Sequence, residues 1–331
     1  MPAVAARAAA PGSTRARGPA GPRRAVAARA QASPGAGEEV VIKADAPDRP
    51  KTLMQLGAQL SRRSQLVGAA TLAVAGAVEA ACPHCAAASA SGWGYDYENG
   101  PQTWDGVCRA GTDQTPIDIR ARIVQRLEAR PDMVVNYDLT RCEVVDTGHG
   151  TMQVNFPQGS NTLTVGQDLY DLVQFHYHTP SEHAFEGQRT EMEVHLVHKK
   201  RGSGDLAVVG VLMKVGTREG GADAANGNPV LRQSLALAPV GTGTAVPIDV
   251  DPRALLPLGR LDCTSIVSYG GSLTTPPCSE GVAWMVCRKT ISISATQVIG
   301  FQKYVGRSAG LRLNSRPLQP VTAEHQVTLW D

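Results

Sequence analysis

Five of the chain's eight histidines fall within residues 174–198, and three of them have the type and spacing of a metal site. His176 and His178 lie two residues apart in a run typical of a strand, so both side chains point to the same face. His195 lies in a second such run. Three imidazoles with a fourth position open to solvent are typical of a catalytic zinc site, because structural zinc sites have all four positions filled by protein.

The residues that precede these histidines favour the metal-site interpretation. Gln174 and Glu193 each lie two residues before a candidate ligand, on the same strand face. Their oxygens can accept the second ring N–H of a ligating imidazole and so fix its tautomer. A polar surface face explains an isolated His-x-His pair equally well, and that alternative stays open for the pair taken alone.

The coarse pattern predicts a mainly β domain with a few short helices. From residue 133 onward, short runs rich in Val, Ile, Tyr and Thr alternate with turns. Helices are predicted at Arg120–Arg130, around Asn228–Leu237, and at Ala295–Val305, where Ser294 is a candidate N-cap. The segment between Arg218 and Pro229 reads as an exposed loop.

Together with the histidine block, seven further motifs in order resemble the alpha-class carbonic anhydrases, and in particular the thylakoid-lumen form of green algae. These motifs are Trp93–Trp104, Gln114–Ile119, Thr147–Phe156, Leu206–Gly216, Asp251–Pro257, Ser272–Trp284 and Asn314–Pro320. The resemblance covers residues 91–331. It implies a single domain around a large, mostly antiparallel twisted β-sheet, with zinc at the foot of a conical cleft and a cis bond at Pro276–Pro277.

The resemblance also implies an activity and roles for individual residues. The activity is the reversible hydration of CO2 to bicarbonate and a proton by attack of zinc-bound hydroxide, with His176, His178 and His195 holding one Zn²⁺. Thr274 would accept a hydrogen bond from the hydroxide and donate to Glu182, since an ionised carboxylate can only accept. The implied CO2 pocket consists of Val197, Val208, Leu273, Thr275, Val282 and Trp284.

Removal of the proton is assigned to a different segment. By the resemblance His149 is the proton shuttle, Tyr95 and Gln153 order cleft waters, and Asn314 supports the ligands from behind. A histidine titrates near neutral pH and can relay a proton to solvent. The Thr147–Phe156 segment has one residue more than the commonest animal forms, so a surface histidine in a Gly-rich turn is the alternative for His149. His183 and His198 are expected to be hydrogen-bonded in the core.

The first ninety residues are predicted to be targeting segments. Residues 1–37 contain six arginines and no acid, which is typical of a chloroplast transit peptide. Residues 38–90 combine a spacer with Arg62-Arg63, an apolar run and a small-residue cleavage motif at Ala88–Ala90, typical of a twin-arginine signal. We therefore expect the thylakoid lumen, with another exported or periplasmic compartment as the alternative. A disordered tail is the alternative for the segment itself.

The chain has seven cysteines, and the resemblance pairs two of them. Cys108 and Cys278 correspond to a bridge in extracellular family members, which would fit an oxidising compartment; two buried thiols are the alternative. Cys142, Cys263 and Cys287 lie in apolar runs and are expected to be buried thiols. Cys82 and Cys85 form a CxxC motif beside the predicted signal, to which no role is assigned.

Composition and family limit the partners. Residues 91–331 contain 21 Lys and Arg against 25 Asp and Glu, without the clustered basic and aromatic residues of a nucleic-acid surface. The expected ligands are CO2, bicarbonate and sulfonamide-type inhibitors, and a peripheral association with a photosynthetic membrane complex stays open. Two other classes compete with the enzyme: a catalytically silent binding protein, and a copper or iron enzyme, which would more often use carboxylates or further histidines as ligands.

Overall fold

The computed structural model describes residues 92–127, 131–216, 227–261, 265–322 and 325–330. Several predictions on the sequence lie outside these ranges: the two targeting segments (1–37 and 38–90), Cys82, Cys85, Cys263, and most of the loop between Arg218 and Pro229. None of the helices within the described ranges is long and apolar enough to cross a membrane.

Strands dominate the described chain, as the alternation of apolar runs and turns predicts. In chain order they are β1 (Asp118–Ile119), β2 (Gln125–Arg126), β3 (Met133–Asn136), β4 (Thr140–Asp146), β5 (Met152–Asn155), β6 (Thr162–Val165), β7 (Asp168–His178), β8 (Ala184–Phe185), β9 (Met192–Lys200), β10 (Leu206–Val215), β11 (Ala245–Val250), β12 (Ile266–Ser272), β13 (Glu280–Ile293) and β14 (Thr328–Trp330).

Twelve of these strands form one sheet in the order β11-β4-β5-β7-β9-β10-β13-β12-β14-β2, with β3 paired to β6 and β6 to β7. Neighbours are antiparallel except at β10–β13 and β14–β2, so the sheet is mixed but mostly antiparallel, as predicted. The remaining strands, β1 and β8, form a separate parallel pair.

Within the described ranges, three α-helices accompany the strands: α1 (Val107–Ala110), α2 (Pro229–Leu237) and α3 (Ala295–Ala309). Asn228 caps α2 by accepting from Leu231 N. Ser294 and Gln297 form a capping box at the start of α3, which ends at Gly310 in the left-handed region. The predictions of α2 and α3 are therefore confirmed, while α1 was not foreseen.

The helix predicted at Arg120–Arg130 is wrong in its described part. Only one 3-10 turn forms, at Ala121–Ile123, and Gln125–Arg126 is then extended as β2. Two long-range contacts override the local preference: Ala121 N donates to Glu186 Oε1 at 2.6 Å, and β2 pairs with β14 at the far end of the chain. Tertiary pairing of this kind routinely outweighs helix propensity.

The two faces of the central strands pack against two different apolar clusters. On β7, Phe175 and Tyr177 enter the larger apolar cluster, which also contains Phe301 and Tyr304 of α3. The alternate residues of β7 and β9 face the other side, towards a smaller apolar cluster that includes Trp284. The period-two pattern thus places His176, His178 and His195 on the face opposite α2 and α3.

Candidate metal centre and its cleft

The register of three neighbouring strands brings the candidate ligands together. His176 on β7 pairs directly with His195 on β9, and Gln153 on β5 pairs with His176 from the other side. A shift of register between Leu172 and Gln174 precedes this row. Since a one-residue slip sends side chains to the opposite face, the irregularity fixes which residues of β7 face the cleft.

Three ring nitrogens converge at this point. One nitrogen each from His176, His178 and His195 lies within 4.8 Å of the others, and the site is largely shielded from solvent. Nε2 of His178 is buried and has no hydrogen-bond partner in the described chain. A buried acceptor without a partner costs free energy, so this orphaned atom is the observation that calls for a metal ion.

The other nitrogen of each candidate ligand is held by an acceptor. His176 Nδ1 contacts Gln174 Oε1 at 2.8 Å, and His195 Nε2 contacts Glu193 Oε1 at 3.0 Å, as the sequence predicts. His178 Nδ1 donates to the backbone oxygen of Asn314 at 2.7 Å. These contacts leave Nε2 of His176, Nε2 of His178 and Nδ1 of His195 to bind an ion.

Metal binding requires neutral imidazoles, and the surroundings of His176 and His178 disfavour their protonation. Burial lowers the pKa of His178, and burial together with the neighbouring His178 and His195 lowers that of His176 well below its usual value. For Glu193, burial raises the pKa, but His183 and His195 outweigh it and hold the carboxyl well below its usual range. The ionised Glu193 can therefore only accept from His195.

A second group, His183 with Glu193 and His195, also has the types of a metal site. Both ring nitrogens of His183 already have partners: Nδ1 contacts Glu193 Oε1 at 2.7 Å and Nε2 contacts the Tyr269 hydroxyl at 2.6 Å. This group is therefore saturated with hydrogen bonds. His198 is likewise bonded, to Tyr137 and the Ala207 carbonyl, so both histidines are core residues as predicted.

Glycine at position 210 makes room beside the cluster. Gly210 lies opposite His195 on β10, and a Cβ there would stand 3.0 Å from Glu193 Oε1 and 3.5 Å from the Trp284 ring. Any larger residue would push against the carboxylate that holds His195. The close approach of these groups to the β10 backbone thus favours glycine.

Glu182 and Thr274 approach the ligands from two different loops. Glu182 is fully buried; its Oε1 accepts from Arg316 N at 2.7 Å. Its Oε2 lies 3.5 Å from His178 Nε2 and 3.8 Å from His195 Nδ1, and has no donor in the described chain. Thr274 lines the cleft, but no hydrogen bond joins it to Glu182 among the described residues.

The cleft above the ligands has an apolar and a polar side. Most of the predicted wall is present, namely Val197, Val208, Leu273, Thr275 and Trp284, along with Gln153 and Gln174. Val282 is instead buried in the same apolar cluster as Trp284, outside the lining. Leu206 also lines the cleft, although it was not among the expected residues; it lies two residues before Val208 on the same face of β10, so period two could have found it.

His149 also lines the cleft, where a tryptophan holds its ring. The imidazole stacks on Trp93 with centroids 3.9 Å apart, and its Nδ1 contacts the Trp93 carbonyl at 2.9 Å. Burial lowers its pKa, while the Trp93 carbonyl and Asp146 raise it. Tyr95 packs edge-on against Trp93, and its buried hydroxyl has no partner in the described chain.

The loop that carries Thr274 is tied to the N-terminal part of the domain. Cys108 and Cys278 form a disulfide as predicted, and Pro276–Pro277 is cis. Gln114 Nε2 donates to the Cys278 carbonyl at 3.2 Å, and Arg316 Nη2 donates to the Cys108 carbonyl at 2.7 Å. Cys142 is buried outside this bridge, as is Cys287.

We expect the double substitution Cys108→Ala/Cys278→Ala to lower the free energy of unfolding by about 4–5 kcal/mol, because the bridge closes a long loop in the unfolded chain. The two cysteines are 170 residues apart. Urea denaturation measures the change. Cys142→Ala is the matched control, since it removes a buried thiol that closes no loop. Equal losses in the two proteins would contradict the prediction.

Comparisons with known proteins agree with this geometry. The model of the eukaryotic-type carbonic anhydrase family matches residues 99–328. A carbonic anhydrase of Nostoc sp. is 33% identical over 271 residues, covering 78% of this chain and 94% of the relative. Carbonic anhydrase Cah3 from Chlamydomonas reinhardtii, solved with acetazolamide, is 39% identical with a TM-score of 0.61, covering 71% of this chain and 100% of that one.

A further solved structure is the alpha-carbonic anhydrase from Thermovibrio ammonificans with the inhibitor sulfanilamide. It is 33% identical with a TM-score of 0.61, and the alignment covers 71% of this chain and 98% of that one. Sequence and fold therefore point to the same family.

Proposed function

This chain belongs to the eukaryotic-type carbonic anhydrase family and is a carbonic anhydrase, and we propose that it works as a zinc enzyme with His176, His178 and His195 as ligands. The observation that carries the proposal is the convergence of three imidazole nitrogens, one of which is the orphaned Nε2 of His178. Three neutral nitrogen donors leave the full charge of a divalent ion to act on a bound water. Zinc held there would lower the pKa of such a water to about 7, a value established for carbonic anhydrases themselves.

Glu182 and Thr274 are proposed to orient the nucleophilic oxygen. An ionised Glu182 accepts only, and one of its oxygens is already used by Arg316 N. The remaining Oε2 can accept a hydrogen bond from the Thr274 hydroxyl. A threonine that donates in this way keeps its own lone pair to accept a hydrogen bond from the nucleophilic oxygen in the cleft. That hydrogen bond fixes the orientation of the nucleophilic oxygen.

The apolar side of the cleft is proposed to hold CO2. Carbon dioxide has no net dipole, so charges cannot hold it. Val197, Val208, Leu273 and Trp284 present apolar surface next to the ligand cluster. The hydrated product is an anion and would be less favoured against such a wall, which helps it leave.

We propose that His149 carries the proton from the cleft to solvent. Its lowered pKa keeps the ring neutral near neutral pH, so it can accept a proton. His149→Ala should reduce kcat in weak buffer by roughly 10- to 100-fold, at the lower end of what a positioned acid–base group contributes. Stopped-flow CO2 hydration with and without added imidazole measures this. A kcat that imidazole does not restore would remove His149 from the role.

Metal analysis combined with a hydration assay tests the function as a whole. We expect one zinc per chain, CO2 hydration that a chelator removes and zinc restores, and inhibition by acetazolamide and sulfanilamide. The same measurements on protein freed of metal supply the baseline. Zinc well below unit stoichiometry, or hydration that no sulfonamide inhibits, would overturn the proposal.

The proposed compartment is the thylakoid lumen, or another oxidising compartment reached by export. The disulfide and the arginine-rich, acid-free residues 1–37 support export. A peripheral association with a photosynthetic membrane complex depends on location in that compartment and stays a prediction. N-terminal sequencing of the protein purified from its source should begin near residue 91; a chain that starts near Met1 would reject the cleavage.

A further inference from the structure

Asp146, the last residue of β4, is a buried carboxylate that the proposed chemistry does not use. It is only 3% exposed. Its Oδ1 accepts from Gly148 N at 2.9 Å and from the Ser308 hydroxyl at 2.6 Å, and its Oδ2 accepts from Gly241 N at 2.8 Å. The donors come from three separate parts of the chain: the loop of His149, helix α3, and the turn before β11.

Hydrogen bonds to an ionised acceptor are stronger than those between neutral groups. Removing a buried acceptor also leaves its donors unsatisfied, which costs more than the bond itself contributed. Asp146 is therefore well placed to hold these three parts in one arrangement.

The loop between β4 and β5 fits closely against the parts that Asp146 joins. His149 is flanked by Gly148 and Gly150, with φ of +80° and +73°. A Cβ on Gly148 would stand 2.4 Å from Thr242 Cγ2, and one on Gly150 would stand 3.1 Å from Val305 Cγ1 of α3. The backbone on both sides of His149 is thus enclosed by the turn before β11 on one side and by α3 on the other.

We infer that Asp146 is a positioning residue for proton transfer: it locks the His149 loop against α3 and the turn at Gly241, and so keeps the imidazole at the cleft. This inference rests on the shuttle role proposed for His149. Trp93 holds the ring itself, through stacking and its carbonyl. Asp146 holds the backbone from which that ring projects.

A role in stability alone would give different results from a role in positioning. A destabilised but otherwise normal enzyme loses kcat and kcat/KM together, because less of it is folded. A displaced relay lowers kcat, since the proton leaves after CO2 has been converted, and spares kcat/KM, which covers only the earlier steps. The split between these two constants is therefore the decisive readout.

The test uses Asp146→Asn, which keeps the size of the side chain but replaces one acceptor oxygen by an NH2 group. We expect kcat in weak buffer to fall by about five- to tenfold, because a relay loses part of its gain when it is misplaced. We expect kcat/KM and zinc content to be unchanged, and imidazole to restore kcat. In the zinc-free protein, amide hydrogen exchange at Gly148 and Gly241 should accelerate.

Two further proteins complete the design. Asp171→Asn is the matched control. Asp171 is 5% exposed, accepts a hydrogen bond from Arg201 at 2.6 Å and does not line the cleft. The kcat of the Asp171→Asn variant should therefore not depend on buffer. The double variant Asp146→Asn/His149→Ala should have a kcat in weak buffer no lower than that of His149→Ala. Once the imidazole is gone, the position of its backbone no longer affects proton transfer.

The outcomes separate the two proposals. If His149→Ala shows no buffer-dependent loss, the shuttle role fails and this inference fails with it. If His149→Ala is slow but Asp146→Asn keeps its kcat, or loses kcat and kcat/KM equally, only the role of Asp146 is overturned. Should Asp146→Asn not fold, Ser308→Ala removes a single donor: a selective loss of kcat supports the inference, and an unchanged or evenly reduced activity overturns it.

Discussion

Replacing His178 with alanine should abolish stoichiometric zinc binding and reduce CO2 hydration by more than roughly 1,000-fold, because water without the metal has a pKa near 15.7 and yields almost no hydroxide at neutral pH. His178 is the most informative ligand to remove. It is fully buried, its Nε2 has no partner in the described chain, and its Nδ1 is fixed by the Asn314 carbonyl.

The matched control for this experiment is His325→Gln. His325 is also buried, with Nε2 at 3.1 Å from the Gln114 carbonyl, but it does not belong to the group formed by His176, His178 and His195. Glutamine can donate to the same carbonyl, so zinc content and activity should stay close to those of the parent protein. Metal analysis, stopped-flow hydration and thermal unfolding are measured on both variants. Stoichiometric zinc in folded His178→Ala protein would show that the ion does not bind at this cluster.

Replacing Thr274 with valine should reduce kcat/KM for CO2 hydration by roughly 100-fold while zinc remains bound, which is the usual cost of losing one preorganised hydrogen bond at a reacting oxygen. Valine keeps the shape of the side chain and removes the hydroxyl. Thr274→Ser keeps the hydroxyl and serves as the control, so its activity should remain within severalfold of the parent.

Glu182→Gln tests the direction of the same hydrogen bond. A glutamine can present an NH2 group to Thr274, which then no longer has to donate. If Glu182 acts through Thr274, the loss caused by Glu182→Gln should largely disappear in a Thr274→Val background. Fully additive losses in the double variant would mean that the two residues act independently and would refute the proposed arrangement.

Short-range patterns predicted the mainly β composition and two of the helices, while the family resemblance predicted the single large sheet. The capping residues Asn228 and Ser294 mark helix starts because they bond amides within the next three residues. The prediction failed at Arg120–Arg130 for the opposite reason. There the conformation is decided by a contact with Glu186 and by pairing with β14, about two hundred residues away in sequence, and no local signal reports either.

In the candidate site, too, contacts between residues near in sequence could be predicted, and contacts between distant segments could not. Gln174 and Glu193 could be assigned from sequence because each lies two residues from the imidazole it holds, which is the repeat of a single strand. Nothing in the sequence around Asp146 indicates that α3 and the turn at Gly241 meet there. The stacking of His149 on Trp93, which settles the orientation of that ring, also joins segments that are distant in the chain.

By itself, the sequence determined the chemistry available at the metal site, namely three imidazoles and two acceptors beside them, while the family resemblance added Thr274 and Glu182. The sequence could do so because strand periodicity and side-chain chemistry are local properties. Only the tertiary structure decided which nitrogen of each imidazole is left available to a metal ion and how the loop that carries His149 is held. Those choices depend on strand register, on the Asn314 carbonyl and on Asp146, and each is a contact between residues that only folding brings together.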